Sequence, residues 1–180
     1  MLLKQGEKIA FCGVLCALSA VFVVGAGLFP TMTYALPAIA GVLLVAAVME
    51  LGKKWAFFSY VVVGLLSLLL GTDKEAACFF CLFFGYYPTL KSLLDPLRSL
   101  VIQWLLKLLV FNAAAVLLYL IAVYLLGLPQ ESFSVAGIRG EWLLLLAGNA
   151  VFILYDRAIG GVAVFYWSRL HPVVARIFRK

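Results

Sequence analysis

The sequence predicts an all-helical integral membrane protein, a six-helix transmembrane bundle built as a single domain over residues 1–180, and three observations carry this prediction. Hydrophobic residues make up 66% of the chain and charged residues 12%, and the mean hydropathy is +1.14, as is typical of polytopic membrane proteins. The apolar segments are continuous, so they predict helices rather than the alternating strands of a barrel. Most Lys and Arg residues stand at the ends of these segments, so the net charge of +6 does not indicate nucleic-acid binding.

Six apolar segments are predicted to cross the membrane, at residues 9–29, 34–51, 55–70, 76–87, 108–126 and 142–167. The first is long enough to span and has no persuasive small-residue cleavage site, so we expect a membrane helix and not a signal peptide. The fourth would form a helix of only about 18 Å, against about 30 Å of hydrocarbon. We expect this short span to leave room for a vestibule at the outer surface.

The segment Leu90–Lys107 differs from the spans because charges interrupt it regularly. Its spacing separates a leucine stripe from a charged side, formed by Leu90, Leu93, Leu94 and Leu97 against Lys91, Asp95 and Arg98. This pattern predicts an amphipathic helix that lies on the membrane surface and leads into the fifth span.

Basic residues are distributed unevenly between the two sides that six spans would create. One side receives both termini and eleven basic residues, namely Lys4, Lys8, Lys53, Lys54, Lys91, Arg98, Lys107, Arg169, Arg176, Arg179 and Lys180. The other side receives only Lys74 and Arg139. The positive-inside rule therefore predicts a multi-pass protein of the plasma (inner) membrane with both termini in the cytoplasm.

Polar residues within the last two spans are the first candidates for function, because such residues are costly in hydrocarbon. Helical rise places Asn112, Asp156 and Arg157 at similar depth in the inner leaflet, so we expect these three to meet. Asn149 lies nearer the outer surface. The inner group is either a buried polar clamp between helices, with Arg157 snorkelling inward, or a gating or ligand contact.

Small residues recur every fourth position in the first span, where Gly13 pairs with Ala17 and Cys16 with Ala20. This spacing makes a smooth helix face that suits close contact, either inside the bundle or with an external partner helix. Of the four cysteines, Cys12 and Cys16 belong to the inner half of the membrane and Cys78 to its outer end. They are therefore interpreted as packing residues rather than as one metal site.

The sequence shows no catalytic motif that would indicate an enzyme. His171 is the sole histidine and follows the last span, and the sequence contains no GxSxG elbow, HExxH motif or phosphate-cradling loop. We expect no enzymatic activity and no cofactor.

The six-span layout and the small residues of the first span resemble the substrate-binding S subunits of bacterial energy-coupling factor transporters. In that family the first helix carries small residues that contact a transmembrane coupling subunit, which would correspond here to Gly13, Cys16, Ala17 and Ala20. The resemblance implies binding of a vitamin or related micronutrient near the outer surface, with two ATPases and a coupling protein supplied by other chains.

The same resemblance implies that the ligand cavity is lined by the first loop and the outer halves of the later spans. The candidate residues are Thr31, Thr33, Tyr34, Asp73, Lys74, Glu75, Tyr124 and Asn149. The alternative is a non-transporting membrane scaffold, such as the small proteins of the bacterial cell-shape machinery. An outward cavity lined by polar groups would favour binding, and a sealed bundle would favour the scaffold.

The topology is directly testable by single-cysteine labelling in intact cells. Cysteines at positions 74 and 139 should react with an impermeant thiol reagent added outside, whereas a cysteine at position 53 should react only after permeabilisation. Labelling at position 53 from outside would reverse the orientation.

Overall fold

In a computed structural model, which describes residues 4–125, 127 and 141–177, the chain is helical and contains no strand among those residues. The helices are α1 (Gln5–Gly25), α2 (Ala35–Glu50), α3 (Lys53–Leu70), α4 (Lys74–Phe79), α5 (Tyr87–Leu94), α6 (Leu100–Leu120), α7 (Glu141–Phe165) and α8 (His171–Ile177). Short 3-10 turns follow α1, and π-helical turns extend α4, α6 and α7.

Five helical stretches are long and apolar enough to cross a bilayer: Gln5–Leu28, Lys53–Leu70, Lys74–Leu94, Leu100–Leu125 and Leu145–Val174. The remaining long helix, α2, is apolar but shorter. Large apolar side chains cover the outside of the bundle, and Leu109 and Leu154 expose 66% and 70% of their surface. A surface of this kind is stable against lipid rather than water, as expected for a multi-pass membrane protein.

The first three helices form a compact unit at one side of the bundle. Helix α1 packs against both α2 and α3, and their shared cluster of buried side chains includes small ones, such as Cys16, Ala40 and Val63, beside the larger Leu44. The α2–α3 connection is very short and turns at Gly52, whose φ of +88° suits glycine. This turn brings Lys53 and Lys54 to the start of α3, at the end of the bundle where α1 also begins. We call that end the basic end and the opposite one the distal end.

The fourth span is full length, so the prediction of a short helix over residues 76–87 is wrong. Helix α4 continues through a π-helical turn (Phe80–Phe84) into α5, and the whole stretch reaches Leu94. Pro88 lacks the amide that would bond the carbonyl four residues earlier, and the wider turn before it absorbs this interruption. The helix therefore passes through a proline that a sequence pattern interprets as its end.

Aromatic rings fill the space between the second half of the bundle and α2. Tyr87 and Phe152 are fully buried, and Phe111 stacks on Phe152 with ring centroids 4.7 Å apart. Phe83 contacts both Phe152 and Tyr155 edge-on or tilted. These contacts join α6 and α7 to the π-helical turn, and they occupy the space between the helices with side chains.

The surface helix predicted over Leu90–Lys107 does not form as one element. Helix α5 ends at Leu94, residues 95–99 form a turn, and α6 begins at Leu100. Pro96 has no amide to donate, which stops α5, and the Gln103 side chain donates to the free carbonyls of Asp95 and Leu97 at 2.8 and 2.7 Å. Of its charged residues, Lys91 points into the protein, as described below, whereas Asp95 and Arg98 are exposed, and Leu93 is 53% exposed.

The last two spans also extend beyond their predicted limits. Helix α6 begins eight positions before the predicted start at residue 108, and α7 continues through a π-helical turn into α8 as far as Ile177. Glu50 at the end of α2 holds this extension, since it accepts a hydrogen bond from Tyr166 at 3.1 Å and contacts His171 at 2.7 Å.

Gly41 of α2 is the tightest glycine contact with the aromatic core. A Cβ atom added there would lie 2.4 Å from the Phe84 carbonyl oxygen and 2.8 Å from the Tyr155 hydroxyl. Gly41→Ala should therefore lower the free energy of unfolding by about 1–3 kcal/mol, measured in detergent. Gly161→Ala, where nothing lies within 4 Å of the added atom, is the matched control. Equal stability of the two variants would contradict the packing described here.

Candidate functional site

The structure assembles its largest polar site around Asp156, near the basic end of the bundle. One oxygen of this carboxylate, Oδ1, accepts hydrogen bonds from Tyr87 Oη at 2.6 Å, Lys91 Nζ at 2.6 Å and Lys107 Nζ at 3.1 Å. Lys107 Nζ also lies 2.6 Å from Asp95 Oδ1, and Lys91 Nζ lies 3.5 Å from Asp95 Oδ2. The five residues come from α5, the turn after it, α6 and α7. We call them the Asp156 network.

The Asp156 network is charge-neutral, with two ammonium groups and two carboxylates. The side chains of Lys107 and Asp156 are 4% and 5% exposed, while Asp95 is 45% exposed and faces the end of the bundle. Removing such ions from water costs several kcal/mol each, and only close opposite charges with good hydrogen bonds offset that cost. The network therefore fixes the relative positions of α5, α6 and α7.

The sequence identified only part of this site. Hydrogen bonding of Asp156 across helices was predicted and is observed, but its partners are Lys91, Lys107 and Tyr87 rather than Asn112. Both lysines had been interpreted as interfacial, because a lysine near the end of a span normally points to water. The missed signal was Lys107, which a helix beginning at Leu100 carries about 10 Å into the membrane.

Asn112 pairs with Asn149 instead, and the two side chains satisfy each other completely. Each amide nitrogen donates to the partner's side-chain oxygen at 3.0 Å and to the carbonyl four residues earlier in its own helix at 2.8 Å. Asn112 lies about 18 Å along α6 from its start at Leu100, and Asn149 lies about 12 Å along α7 from its start at Glu141. Because the two helices begin at opposite ends of the bundle, these two positions lie at one depth. A fifth span that begins at Leu108 predicts too shallow a position for Asn112, because it leaves out the first eight residues of α6.

Arg157 does not join the polar group that the sequence predicted. Its side chain is exposed on the outside of α7, next to the buried Asp156. Successive helical residues point about 100° apart, so one inward charge and one outward charge follow from adjacent positions. Within the membrane an exposed arginine satisfies its charge by extending toward the interface.

Four of the predicted ligand residues lie together at the distal end, where they bond to each other. The Thr33 hydroxyl donates to Asp73 Oδ2 at 2.9 Å, and the Tyr34 hydroxyl donates to Glu75 Oε1 at 2.8 Å. Asp73 also accepts from the Ala76 amide at 3.0 Å and so caps α4.

A hollow of about 230 Å³ opens beside these pairs, between the end of α1 and the connection from α3 to α4. Ala26, Gly27, Thr33, Thr72 and Asp73 line it, so it presents two hydroxyls and one carboxylate. Thr31 and Lys74 lie at the same end, Thr31 in the 3-10 turn before Thr33 and Lys74 with its Nζ donating to the Leu68 and Gly71 carbonyls at 2.8 Å. Only Asn149 and Tyr124 lie apart from this group, because Asn149 is bonded to Asn112 and Tyr124 is 79% exposed near the end of α6.

The small residues of α1 divide between two environments. Cys16 is buried, and Ala20 packs against the same core cluster, so these two residues pack within the bundle. Gly13 and Ala17 are exposed, and a Cβ atom added at Gly13 would have no neighbour within 4 Å. Contact between this outward pair and a partner stays a prediction.

Comparisons with family models, curated proteins and solved structures found no match for this chain.

Replacing Asp156 tests the Asp156 network. Asp156→Asn leaves two buried lysines opposite one carboxylate and should lower the free energy of unfolding by about 3–5 kcal/mol. Adding Lys107→Gln restores charge balance and should recover part of that loss, as thermal unfolding in detergent would show. Arg157→Gln is the neighbouring control and should change stability little. A fully stable Asp156→Asn protein would show that the network does not hold the helices.

Proposed function

We propose that this chain is the membrane-embedded binding subunit of a bacterial nutrient-uptake system, similar to the S subunits of energy-coupling factor transporters. It would cross the plasma membrane six times, with α2 as the sixth span and both termini in the cytoplasm. Its ligand would be a small, water-soluble micronutrient taken from outside. Separate coupling and ATPase subunits would supply the energy, because the sequence has no nucleotide-binding motif.

The observation that carries this proposal is the hollow at the distal end. It lies where two connections meet, and loops held by rigid helices are common positions for binding residues. Its hydroxyls and its carboxylate can donate to or accept from a small polar ligand, and the volume of about 230 Å³ limits that ligand to a compact molecule. Asp73 lies between the hollow and α4, so a ligand bound there would contact the cap of the fourth span.

The outward face of α1 provides a surface for the coupling subunit. Gly13 and Ala17 leave the helix backbone accessible from the membrane, and small residues at this spacing let two helices approach closely. The face lies on the first three helices, whereas the Asp156 network lies among α5, α6 and α7. A partner bound at α1 would therefore leave the Asp156 network undisturbed.

A membrane scaffold remains the second candidate, and a specific observation favours it. The polar residues of the distal end already satisfy one another through the Thr33–Asp73 and Tyr34–Glu75 bonds, and aromatic rings fill the interior. Such a bundle can act by holding partner proteins together, with no ligand at all. Under this alternative α1 would bind an envelope protein rather than a coupling subunit.

Two variants separate ligand binding from assembly. Asp73→Asn keeps the α4 cap but removes the charge, and it should reduce by about tenfold the small molecule that co-purifies with the protein, measured by mass spectrometry after denaturation. Ala17→Leu should abolish recovery of the coupling subunit from the host membrane and leave the co-purifying molecule unchanged.

Ala150→Leu, at an exposed position of α7, is the matched control for Ala17→Leu and should preserve both properties. Recovery of cell-envelope synthesis proteins without any ATPase, together with no co-purifying small molecule, would favour the scaffold. Loss of that molecule in Ala17→Leu would contradict the separation of the two surfaces.

A further inference from the structure

A groove of about 420 Å³ runs between α1 and α3 near the basic end of the bundle. Cys12, Lys54, Trp55, Phe58, Ser59 and Val62 line it. The Ser59 hydroxyl in its wall is engaged within the protein, because Ser59 Oγ lies 3.1 Å from Cys12 Sγ and donates to the Trp55 carbonyl at 3.0 Å. The walls therefore present a thiol, two aromatic rings and an aliphatic side chain, and only Lys54 contributes a charge.

Positive charge collects at the mouth of this groove. Helices α1 and α3 run in the same direction, and the Cys12–Ser59 contact sets their relative height. Lys8 lies one turn before Cys12, about 6 Å nearer the basic end, and Lys54 lies about 7.5 Å before Ser59. These two lysines therefore stand level with each other, beside Lys53 and the amino-terminal end of α3, whose partial charge is also positive.

Among the described residues, the lysines at this mouth form no ion pair with a carboxylate. Lys8, Lys53 and Lys54 are absent from the ion pairs formed by the described part of the chain. The two nearest acidic residues along the sequence are engaged, since Glu50 contacts His171 at 2.7 Å and Glu7 accepts from the Lys4 amide at 2.7 Å. The mouth is complementary to an anion, whereas the groove behind it is complementary to a hydrocarbon chain.

We propose that the α1–α3 groove is a binding site for an anionic glycerophospholipid of the adjacent leaflet. One acyl chain lies along Phe58 and Val62, and the phosphate lies between Lys8 and Lys54 at the interface. Basic pockets between membrane helices bind anionic headgroups in this way, and each lysine near the surface contributes about 1 kcal/mol. Trp55 suits the boundary between chain and headgroup, because its ring is amphipathic.

This occupant fits the groove better than a partner helix does. A helix in this position would bring its apolar side chains against three unpaired lysines, which would lose water without gaining opposite charge. A lipid keeps its headgroup in the interface, where the lysines already are. The site is independent of the ligand and the coupling subunit proposed above.

The test uses the full-length protein in nanodiscs made from equal parts of phosphatidylglycerol and phosphatidylcholine. Native mass spectrometry after detergent extraction should show one phosphatidylglycerol retained in preference to phosphatidylcholine. Replacing Lys54 with Gln should reduce this preference about fivefold, the factor that corresponds to about 1 kcal/mol, and replacing Lys8 with Gln as well should reduce it further. Val62→Trp, which fills the groove without changing charge, should also reduce lipid retention.

Two controls separate the site from general effects of charge and size. Arg98→Gln removes one exposed charge from the same end of the bundle and should retain the lipid, as should Leu65→Trp at an exposed position of α3 that does not line the groove. Equal retention of both lipids by the unmodified protein, retention of neither, or equal losses in Arg98→Gln and Lys54→Gln would overturn the proposal. The measurement on the unmodified protein does not depend on any variant folding.

Discussion

The carboxylate of Asp156 lies where water cannot compensate its charge, and the second half of the bundle is arranged around that constraint. Three donors converge on one of its oxygens, two of them ammonium groups that Asp95 then balances. Removing any one of the four charged members leaves the remaining charges unbalanced in a medium of low dielectric constant, so these four are required together. This requirement ties α5, α6 and α7 at one depth, and the aromatic rings above them can pack because those helices are already placed.

A second polar contact, nearer the middle of the membrane, is also satisfied entirely by protein groups. Asn112 and Asn149 use every donor they have, partly on each other and partly on their own helices, so neither needs water. Together with the Asp156 network, this pair joins α6 to α7 at two levels. The first three helices are held differently, by small side chains in close contact, and they carry both surfaces proposed for other molecules: the Gly13–Ala17 face and the α1–α3 groove. The rigid half and the half open to partners are therefore distinct parts of one bundle.

The distal end contains two connections between helices, and the acidic residues Asp73 and Glu75 lie there. There, polar residues meet across two connections and close on each other, leaving a small hollow beside Asp73. This arrangement is compatible with a site that opens when a compact ligand replaces the internal bonds. Its polar groups are also bonded to one another without a ligand, which is why the scaffold alternative rests on the same residues. The difference between the two functions lies in which molecules bind.

Composition and periodicity alone determined that the chain is helical and fit for a membrane, because burying a backbone in lipid leaves few other choices. They also located both ends of α2 and α3 to within a turn, and they singled out Asp156 and Asn149 as costly residues in the membrane. The tertiary structure determined which residues are the hydrogen-bond partners of Asp156 and Asn149. The sequence pattern places Lys91 on a charged surface, yet it points inward, where its ammonium group lies 2.6 Å from Asp156 Oδ1. Pro88 and Pro96 look alike in sequence, but only the π-helical turn before Pro88 lets the helix continue. The start of α6 at Leu100 places Lys107 and Asn112 deeper than hydropathy predicts, because the turn before it is fixed by specific hydrogen bonds from Gln103 to the Asp95 and Leu97 carbonyls, which a hydropathy pattern does not contain.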